Sequence, residues 1–164
     1  MVSAKEQLLQ VWDTEAATTR KVIAAIPEAK RDFRPHPKAR SARELAWHLV
    51  GAEQFFVDMF LARAFELRKG PEGPATIREV LEAFDRQHRA LVEKVRAADD
   101  RQFAGTIRIP VGPKQTGEVP MMGILWTGLV LHGVHHRGQL SVYLRLMGEK
   151  VPAIIGPSAD EPWM

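Results

Sequence analysis

The chain has 164 residues, of which 45% are hydrophobic and 26% charged, as in an ordinary globular domain long enough to bury a core. It contains no cysteine, which excludes disulfides and zinc–thiolate sites, so any metal must be bound by His, Asp, Glu or water. The net charge of +3 is mild and dispersed, which argues against nucleic acid as a partner. We expect a single domain over residues 1–164.

The N-terminal residues lack the basic and apolar regions of a signal peptide. The most apolar run, residues 121–134, is shorter than the roughly 20 residues that span a bilayer, and His132 interrupts it. We therefore predict no membrane association, and the absence of cysteine fits a cytoplasmic location.

The first predicted helix runs from Ser3 to about Ile26, where apolar residues recur at intervals of three and four. Ser3 and Glu6 match a capping box, in which each side chain satisfies a free backbone N–H of the first turn. Two prolines within residues 28–40 exclude a helix there and indicate a connecting loop, so His36 is interpreted as a loop histidine.

A second capping box, Ser41 with Glu44, opens a helix that we predict to run to about Lys69 and to end at Gly70 and Pro71. His48 lies on its apolar face, where a histidine is either a hydrogen-bonded core residue or a ligand. Glu44 lies one turn earlier and could accept a hydrogen bond behind a metal ligand, but its part in the cap is the simpler interpretation.

The third predicted helix runs from Thr76 to about Ala98 and begins with a third capping box, Thr76 with Glu79. His88 lies near its apolar face among polar neighbours, and we assign it an interfacial role without a metal.

An irregular connection follows the third helix at about 99–119. Within it, residues 106–111 alternate between apolar and polar side chains, as in a short edge strand. The sequence does not indicate which segment would pair with it.

The last predicted helix runs from about Pro120 to Met147, is apolar on most sides in its first half, and is followed by Gly148 at its C-terminal cap. The tail, residues 151–164, is rich in proline and is predicted to be non-helical. Its apolar residues Ile154, Ile155 and Trp163 suggest packing on the helices. Four long helices and no strong strands indicate an all-α protein, a four-helix bundle.

Polar side chains form a line along one face of the last helix. His132 and His136 are four residues apart, which places two imidazoles about 40° apart and one turn from each other, a spacing that can share one metal ion. Gln139 and Tyr143 continue in nearly the same direction and are placed to contact a bound water or substrate. His135 is rotated by about 100° from His136 and is not expected to bind the same ion. The spacing alone does not choose a third ligand among the other histidines.

Three segments resemble a known family: Ser-Ala-Arg-Glu-Leu-Ala-Trp-His-Leu at 41–49, His-Gly-Val-His-His-Arg-Gly-Gln-Leu at 132–140, and Val-Pro-Ala-Ile-Ile-Gly-Pro-Ser-Ala-Asp-Glu at 151–161. On these segments the chain resembles the DinB superfamily of DinB/YfiT-like metalloenzymes, over nearly its whole length. The resemblance implies a four-helix bundle with up-down-down-up topology that is commonly a homodimer. It also implies a divalent metal ion held by three histidines: His48, His132 and His136.

Three neutral imidazoles suit zinc or nickel, and three protein ligands leave positions open, as in catalytic sites. The family includes bacillithiol S-transferases and a mycothiol-dependent maleylpyruvate isomerase, so the resemblance implies a metal-dependent enzyme acting on a small-molecule thiol or electrophile. Hydrolysis fits the same chemistry. The alternatives are a non-catalytic metal- or ligand-binding bundle and a structural bundle with hydrogen-bonded histidines. No catalytic residue is identified, and Arg137 and Arg145 are assigned to the solvated or salt-bridged surface rather than to an anionic substrate.

Overall fold

The computed structural model describes residues 2–67 and 70–163 and is mostly helical, with one small sheet. Three α-helices of 21 residues come first, and the last helical element is a fourth, interrupted run that precedes a non-helical tail. In chain order the elements are α1 (Ala4–Ala24), a 3₁₀ turn (Glu28–Lys30), α2 (Ala42–Ala62), α3 (Ile77–Ala97), α4 (Asp100–Phe103), β1 (Thr106–Gly112), β2 (Gln115–Pro120), α5 (Met121–Leu125), a π-helical segment (Trp126–Leu131) and α6 (His132–Leu146).

The three predicted capping boxes are confirmed. The side chain of each N-cap residue accepts from the backbone N–H of the glutamate three residues later, and each glutamate accepts from the N-cap backbone. Because these reciprocal bonds satisfy free N–H groups of the first turn, they fix where α1, α2 and α3 begin.

The prediction that the second helix runs to about Lys69 is wrong. Helix α2 ends at Ala62, and Arg63 adopts a left-handed conformation with φ of 52° that stops the helix. The Arg63 guanidinium donates to the carbonyl oxygens of Gln102 and Thr106, at 3.3 and 3.2 Å, so tertiary contacts hold this residue in place. Lys69, the predicted last residue, lies outside the described residues.

The predicted irregular connection contains a β-hairpin. Strand β1 pairs antiparallel with β2, from Thr106 opposite Pro120 to Gly112 opposite Gln115. The turn is made by Pro113 and Lys114, whose φ is 59°. The edge strand anticipated at residues 106–111 is therefore present, and residues 115–120, which the sequence pattern did not mark, are its partner.

The last helical run is not one continuous α-helix. Residues 126–131 form a π-helical segment between α5 and α6, with one extra residue per turn. Such a segment rotates the faces of the following helix relative to those of the preceding one. The first residue after it is His132, so the π segment sets the direction of the histidine face.

Helix α1 contacts α3 and the last helical run, and α2 contacts the same two elements. Two apolar clusters fill the interior, one around Trp12, Phe60 and Leu125, the other around Ile23, Leu49 and Leu140. Between them, at intermediate positions on each long helix, lies a layer of polar side chains that includes Glu15, Glu53, His88, His132, His136 and Arg137. A polar layer inside an apolar interior requires internal partners or a ligand.

The tail after α6 is non-helical, as predicted. Asp160 accepts from the backbone N–H of Val151 and from Arg145, and Ile154 packs against the second apolar cluster. Ile155 and Trp163 are 75% and 72% exposed, so the predicted packing of the tail on the helices is confirmed for Ile154 but not for these two residues. No helix in the described ranges combines the length and apolarity needed to cross a bilayer.

Candidate metal centre

Helix α2 and the start of α6 bring three histidines together. His48 comes from α2, and His132 and His136 come from successive turns of α6. One ring nitrogen of each lies within 4.8 Å of the corresponding nitrogens of the other two, a geometry that can hold a metal ion. The ring centroids are 4.4 to 5.1 Å apart, and each pair meets edge to face.

The two histidines of α6 approach most closely. Their Nε2 atoms are 3.1 Å apart. Two nitrogens that lie about 2.0–2.1 Å from one ion with tetrahedral or octahedral angles are themselves about 3 Å apart, so the spacing fits shared coordination. In the metal-free protein the same distance allows one Nε2–H to donate to the other nitrogen. The donor set therefore fits a divalent ion without rearrangement of α6.

The tautomer of His136 is fixed by Gln139. Nδ1 of His136 lies 2.7 Å from Oε1 of Gln139, an acceptor, so the proton resides on Nδ1 and the Nε2 lone pair faces the cluster. Metal-ligating histidines almost always donate their second N–H in this way. Gln139 is predicted to contact water or substrate. In the structure it bonds Nδ1 of His136, the ring nitrogen that does not face the cluster.

The protein interior keeps the three imidazoles neutral. Burial lowers the pKa of His48 to about 4, with a smaller contribution from the positive charge of Arg40. Burial likewise lowers the pKa of His132 to about 4, and the neighbouring histidines add to the effect. The pKa of His136 is also lowered, mainly by burial, although the bond to Gln139 opposes the shift. Neutral imidazole is the form that binds metal, so the cluster is ready for coordination at neutral pH.

Phe56 and the π segment position His132. The Phe56 ring meets the His132 ring edge to face, with centroids 5.8 Å apart. The same ring lies so close to Gly128 that a Cβ there would be 2.3 Å from it. A glycine in the π segment therefore lets an aromatic residue of α2 approach the backbone just before the histidine pair.

The other histidines lie elsewhere. His36 is exposed in the loop, where its Nδ1 accepts from the backbone N–H of Lys38. His88 is buried and bonds Glu53 and Asp13 through its two ring nitrogens. His135 is exposed, with its ring centroid 4.9 Å from that of His136, and it does not join the cluster. The interpretation of these three as non-ligands agrees with their positions.

The remaining polar residues near the predicted site have structural partners. Glu44 accepts from the backbone N–H of Ser41 and pairs with Arg34, which supports the cap interpretation. The Tyr143 hydroxyl donates to the carbonyl oxygen of Arg40, at 3.2 Å. This bond fastens the loop before α2 to α6, whereas a substrate contact had been predicted for Tyr143.

The two arginines of α6 differ in burial. Arg145 forms a surface ion pair with Asp160, as predicted. Arg137 pairs with Glu15, but its side chain is 0% exposed, so the surface location predicted for it is wrong. It also donates to the Glu15 carbonyl and to the hydroxyl of Thr19. Arg137 is thus a buried anchor between α6 and α1.

Sequence reasoning missed Glu53. Its carboxylate accepts from Nε1 of Trp12, at 2.8 Å, and bonds the His88 ring, and its side chain is almost fully buried. A signal was present, because Glu53 interrupts an apolar stripe that includes Leu49 and Val57 at intervals of four residues. A charged residue on such a stripe must find internal partners.

A family model described as "DinB family" matches residues 1–163. The chain belongs to the DinB family. At the sequence level it is similar to the uncharacterized protein YrdA of Bacillus subtilis (strain 168), with 24% identity over 98% of this chain and 93% of that protein.

Two solved structures of DinB-like proteins show the same fold as this DinB family member. The crystal structure of one from Bacillus cereus ATCC 10987 has a TM-score of 0.74 and 24% identity, over 91% of this chain and 96% of the other. The crystal structure of YjoA from Bacillus subtilis has a TM-score of 0.71 and 18% identity, over 96% of this chain and 99% of the other.

Proposed function

We propose that this DinB family protein is a metal-dependent enzyme in which His48, His132 and His136 hold one divalent ion. The convergence of three ring nitrogens within 4.8 Å carries the proposal. Two further observations support it: burial keeps the imidazoles neutral, and Gln139 turns the Nε2 lone pair of His136 toward the cluster.

The donor set favours zinc or nickel. Three neutral nitrogen ligands suit borderline divalent ions rather than calcium or magnesium, which prefer oxygen. Three protein ligands leave at least one position for a small molecule, the arrangement of catalytic sites. When bound, such an ion supplies Lewis acidity that makes a thiol or a water molecule a better nucleophile at neutral pH.

The reaction class we propose is transfer of a small-molecule thiol to an electrophile, with hydrolysis as the second possibility. Thiol transfer is the chemistry of the bacillithiol- and mycothiol-dependent members of the superfamily that this chain resembles. Arg40, exposed in the loop just before α2, lowers the pKa of all three imidazoles, so its positive charge acts on the centre. A positive charge there favours a substrate that carries a carboxylate or another anionic group.

The proposal extends to the assembly of the chain. We propose that α1, α2, α3 and the last helical run form a single DinB-like four-helix bundle with up-down-down-up topology, and that two copies form a homodimer. The contacts of α1 and α2 with both α3 and the last run are those expected of such a bundle. Size-exclusion chromatography with light scattering would give the oligomeric state.

Elemental analysis of the purified protein tests the metal. We expect about one zinc or nickel ion per chain in the wild type and in His36→Ala, the control for loss of an exposed histidine. We expect a loss of at least tenfold in His132→Ala, with an unchanged circular dichroism spectrum. Wild-type protein that takes up no metal when supplied with zinc or nickel would refute the site.

An activity assay then separates an enzyme from a binding protein. Metal-loaded protein is incubated with low-molecular-weight thiols paired with electrophiles, and separately with ester substrates. Turnover that disappears on chelation and returns with zinc supports the enzyme. Stoichiometric metal without turnover in either assay supports the alternative, a non-catalytic metal- or ligand-binding bundle.

A further inference from the structure

Two buried side-chain nitrogens have no hydrogen-bond partner within residues 2–67 and 70–163: Nδ1 of His132 and Nε of Arg137. Both residues line the same cavity between α1, α2, α3 and the last helical run. A buried polar group is almost always paired, either with protein or with an ordered water molecule. The two nitrogens therefore point to a specific occupant of the cavity.

The size and lining of the cavity suit a water molecule. The volume that a water-sized sphere can occupy is about 10 Å³, which is room for one water. Glu53, Glu15 and Thr19, whose side chains carry oxygen atoms, line the same cavity. When His132 presents Nε2 to a metal ion and carries its proton on Nδ1, a water there can accept from two N–H groups and donate to a carboxylate, which gives it the two to four polar partners that a buried water requires.

Nε is the one side-chain nitrogen of Arg137 that has no hydrogen-bond partner among the described residues. One terminal nitrogen donates to the Glu15 carbonyl and to the Thr19 hydroxyl, and the other pairs with the Glu15 carboxylate. Because the side chain is fully buried and held at both terminal nitrogens, its Nε–H has a fixed position. Because this N–H is held in place, a water bound to it would occupy a defined position.

Glu53 is equally constrained. Nε1 of Trp12 donates to its Oε1 at 2.8 Å, and Nδ1 of His88 lies 3.1 and 3.2 Å from its two carboxylate oxygens. The other ring nitrogen of His88 is 3.3 Å from Oδ1 of Asp13, whose side chain is 71% exposed. A line of polar contacts thus runs from the surface at Asp13 through His88 and Glu53 to the cavity wall.

We infer that in the metal-loaded protein a buried water connects Nδ1–H of His132 to the Glu53 carboxylate, and that Glu53 is a positioning residue for this metal ligand. The inference rests on the proposed metal function. His136 has a direct acceptor in Gln139, and His132 obtains its acceptor through the water. Both rings then carry the proton on Nδ1 and present Nε2 to the ion, which is the usual arrangement behind metal-bound histidine.

The decisive comparison is zinc affinity, measured by competition with a chromophoric chelator, in Glu53→Gln and Asp58→Asn. The two variants make the same kind of change on the same helix, but Asp58 bonds only the nearby Gln54 among the described residues. We expect Glu53→Gln to weaken zinc binding by about tenfold or more, in the range seen when partners behind metal ligands are removed. Asp58→Asn should stay within about twofold of wild type.

A double-mutant cycle tests whether the effect passes through His132. In a His132→Gln background the imidazole that Glu53 positions is absent, so Glu53→Gln should weaken the residual zinc binding by less than twofold. An undiminished effect in that background would overturn the inference, because it would assign the loss to general destabilisation.

The wild-type protein supplies readouts that do not depend on a folded variant. With ¹⁵N-labelled histidine, the zinc-loaded protein should show His132 protonated on Nδ1. A high-resolution crystal structure of the zinc-loaded protein should show a water within hydrogen-bond distance of His132 Nδ1, Arg137 Nε and a Glu53 carboxylate oxygen. Absence of that water would overturn the inference while leaving the metal site intact, whereas a wild type that binds no metal would overturn both.

Discussion

Nδ1 of His136 lies 2.7 Å from Oε1 of Gln139, one turn further along α6. The bond identifies the ring nitrogen that keeps its proton and leaves Nε2 to face His48 and His132. Two residues three positions apart on one helix thus combine a candidate ligand with the group that orients it.

Replacement of Gln139 by leucine should weaken zinc binding by about tenfold or more, because loss of the acceptor frees His136 to adopt the other tautomer. Chelator competition measures the affinity. Gln10→Leu, an equivalent change at an exposed position of α1, is the control and should leave the affinity unchanged. Equal affinities in the two variants would mean that Gln139 does not orient the ligand.

Metal binding should tolerate mild acid. Burial lowers the pKa of His48 and His132 to about 4, so both remain neutral at pH 5.5. An imidazole with the ordinary pKa of about 6.5 would lose roughly tenfold in its neutral fraction between pH 7 and 5.5, and three would lose about a thousandfold in affinity. We expect the zinc affinity to fall by less than about tenfold over this range, with the chelator calibrated at each pH. A thousandfold loss of zinc affinity over this pH range would show that the imidazoles have the ordinary pKa of a histidine exposed to water.

His88 should stabilise the fold more in mild acid than in base. Burial alone would lower its pKa, but the hydrogen bonds and charges of Glu53 and Asp13 outweigh burial and raise it. Because the folded state binds the proton more tightly, this contribution is fully present below the unfolded pKa of about 6.5 and is lost as the pH rises through the folded pKa.

Urea unfolding of the wild type and of His88→Gln, at pH 6 and pH 9, measures this contribution. The difference in free energy of unfolding between the two proteins should be larger at pH 6. His36→Gln, at an exposed loop position, is the control for loss of a histidine. A His88→Gln difference that grows toward pH 9 would contradict the assigned direction of the shift.

Gly128 and Gly138 provide a paired test of the π segment. Alanine at Gly128 would place its Cβ 2.3 Å from the Phe56 ring, whereas alanine at Gly138 meets nothing within 4 Å. We expect Gly128→Ala to destabilise the protein by about 1–3 kcal/mol through overpacking. Gly138→Ala should stabilise it by about 0.5–1 kcal/mol, because alanine is the better helix former.

Thermal and urea unfolding measure both glycine variants. Zinc affinity should also fall in Gly128→Ala, since the Phe56 ring that must move contacts the His132 ring. Wild-type stability and affinity in Gly128→Ala would show that Phe56 moves aside freely and does not position the histidine.

The sequence by itself determined the features that depend on near neighbours in the chain. The helix starts at Ser3, Ser41 and Thr76 follow from capping boxes that close within three residues. The pairing of His132 with His136 follows from helical spacing in the same way. The family resemblance supplied His48, which spacing within one helix cannot connect to a residue more than eighty positions away.

Only the tertiary structure decided the features that depend on contacts between elements. Arg63 ends α2 in a left-handed conformation held by contacts with residues near the hairpin, and no local signal marked this stop. Arg137 resembled a surface residue, yet α1 supplies the partners that allow its burial. The buried network of Glu53 and His88 likewise exists because α1, α2 and α3 meet at one level, which no single helix encodes.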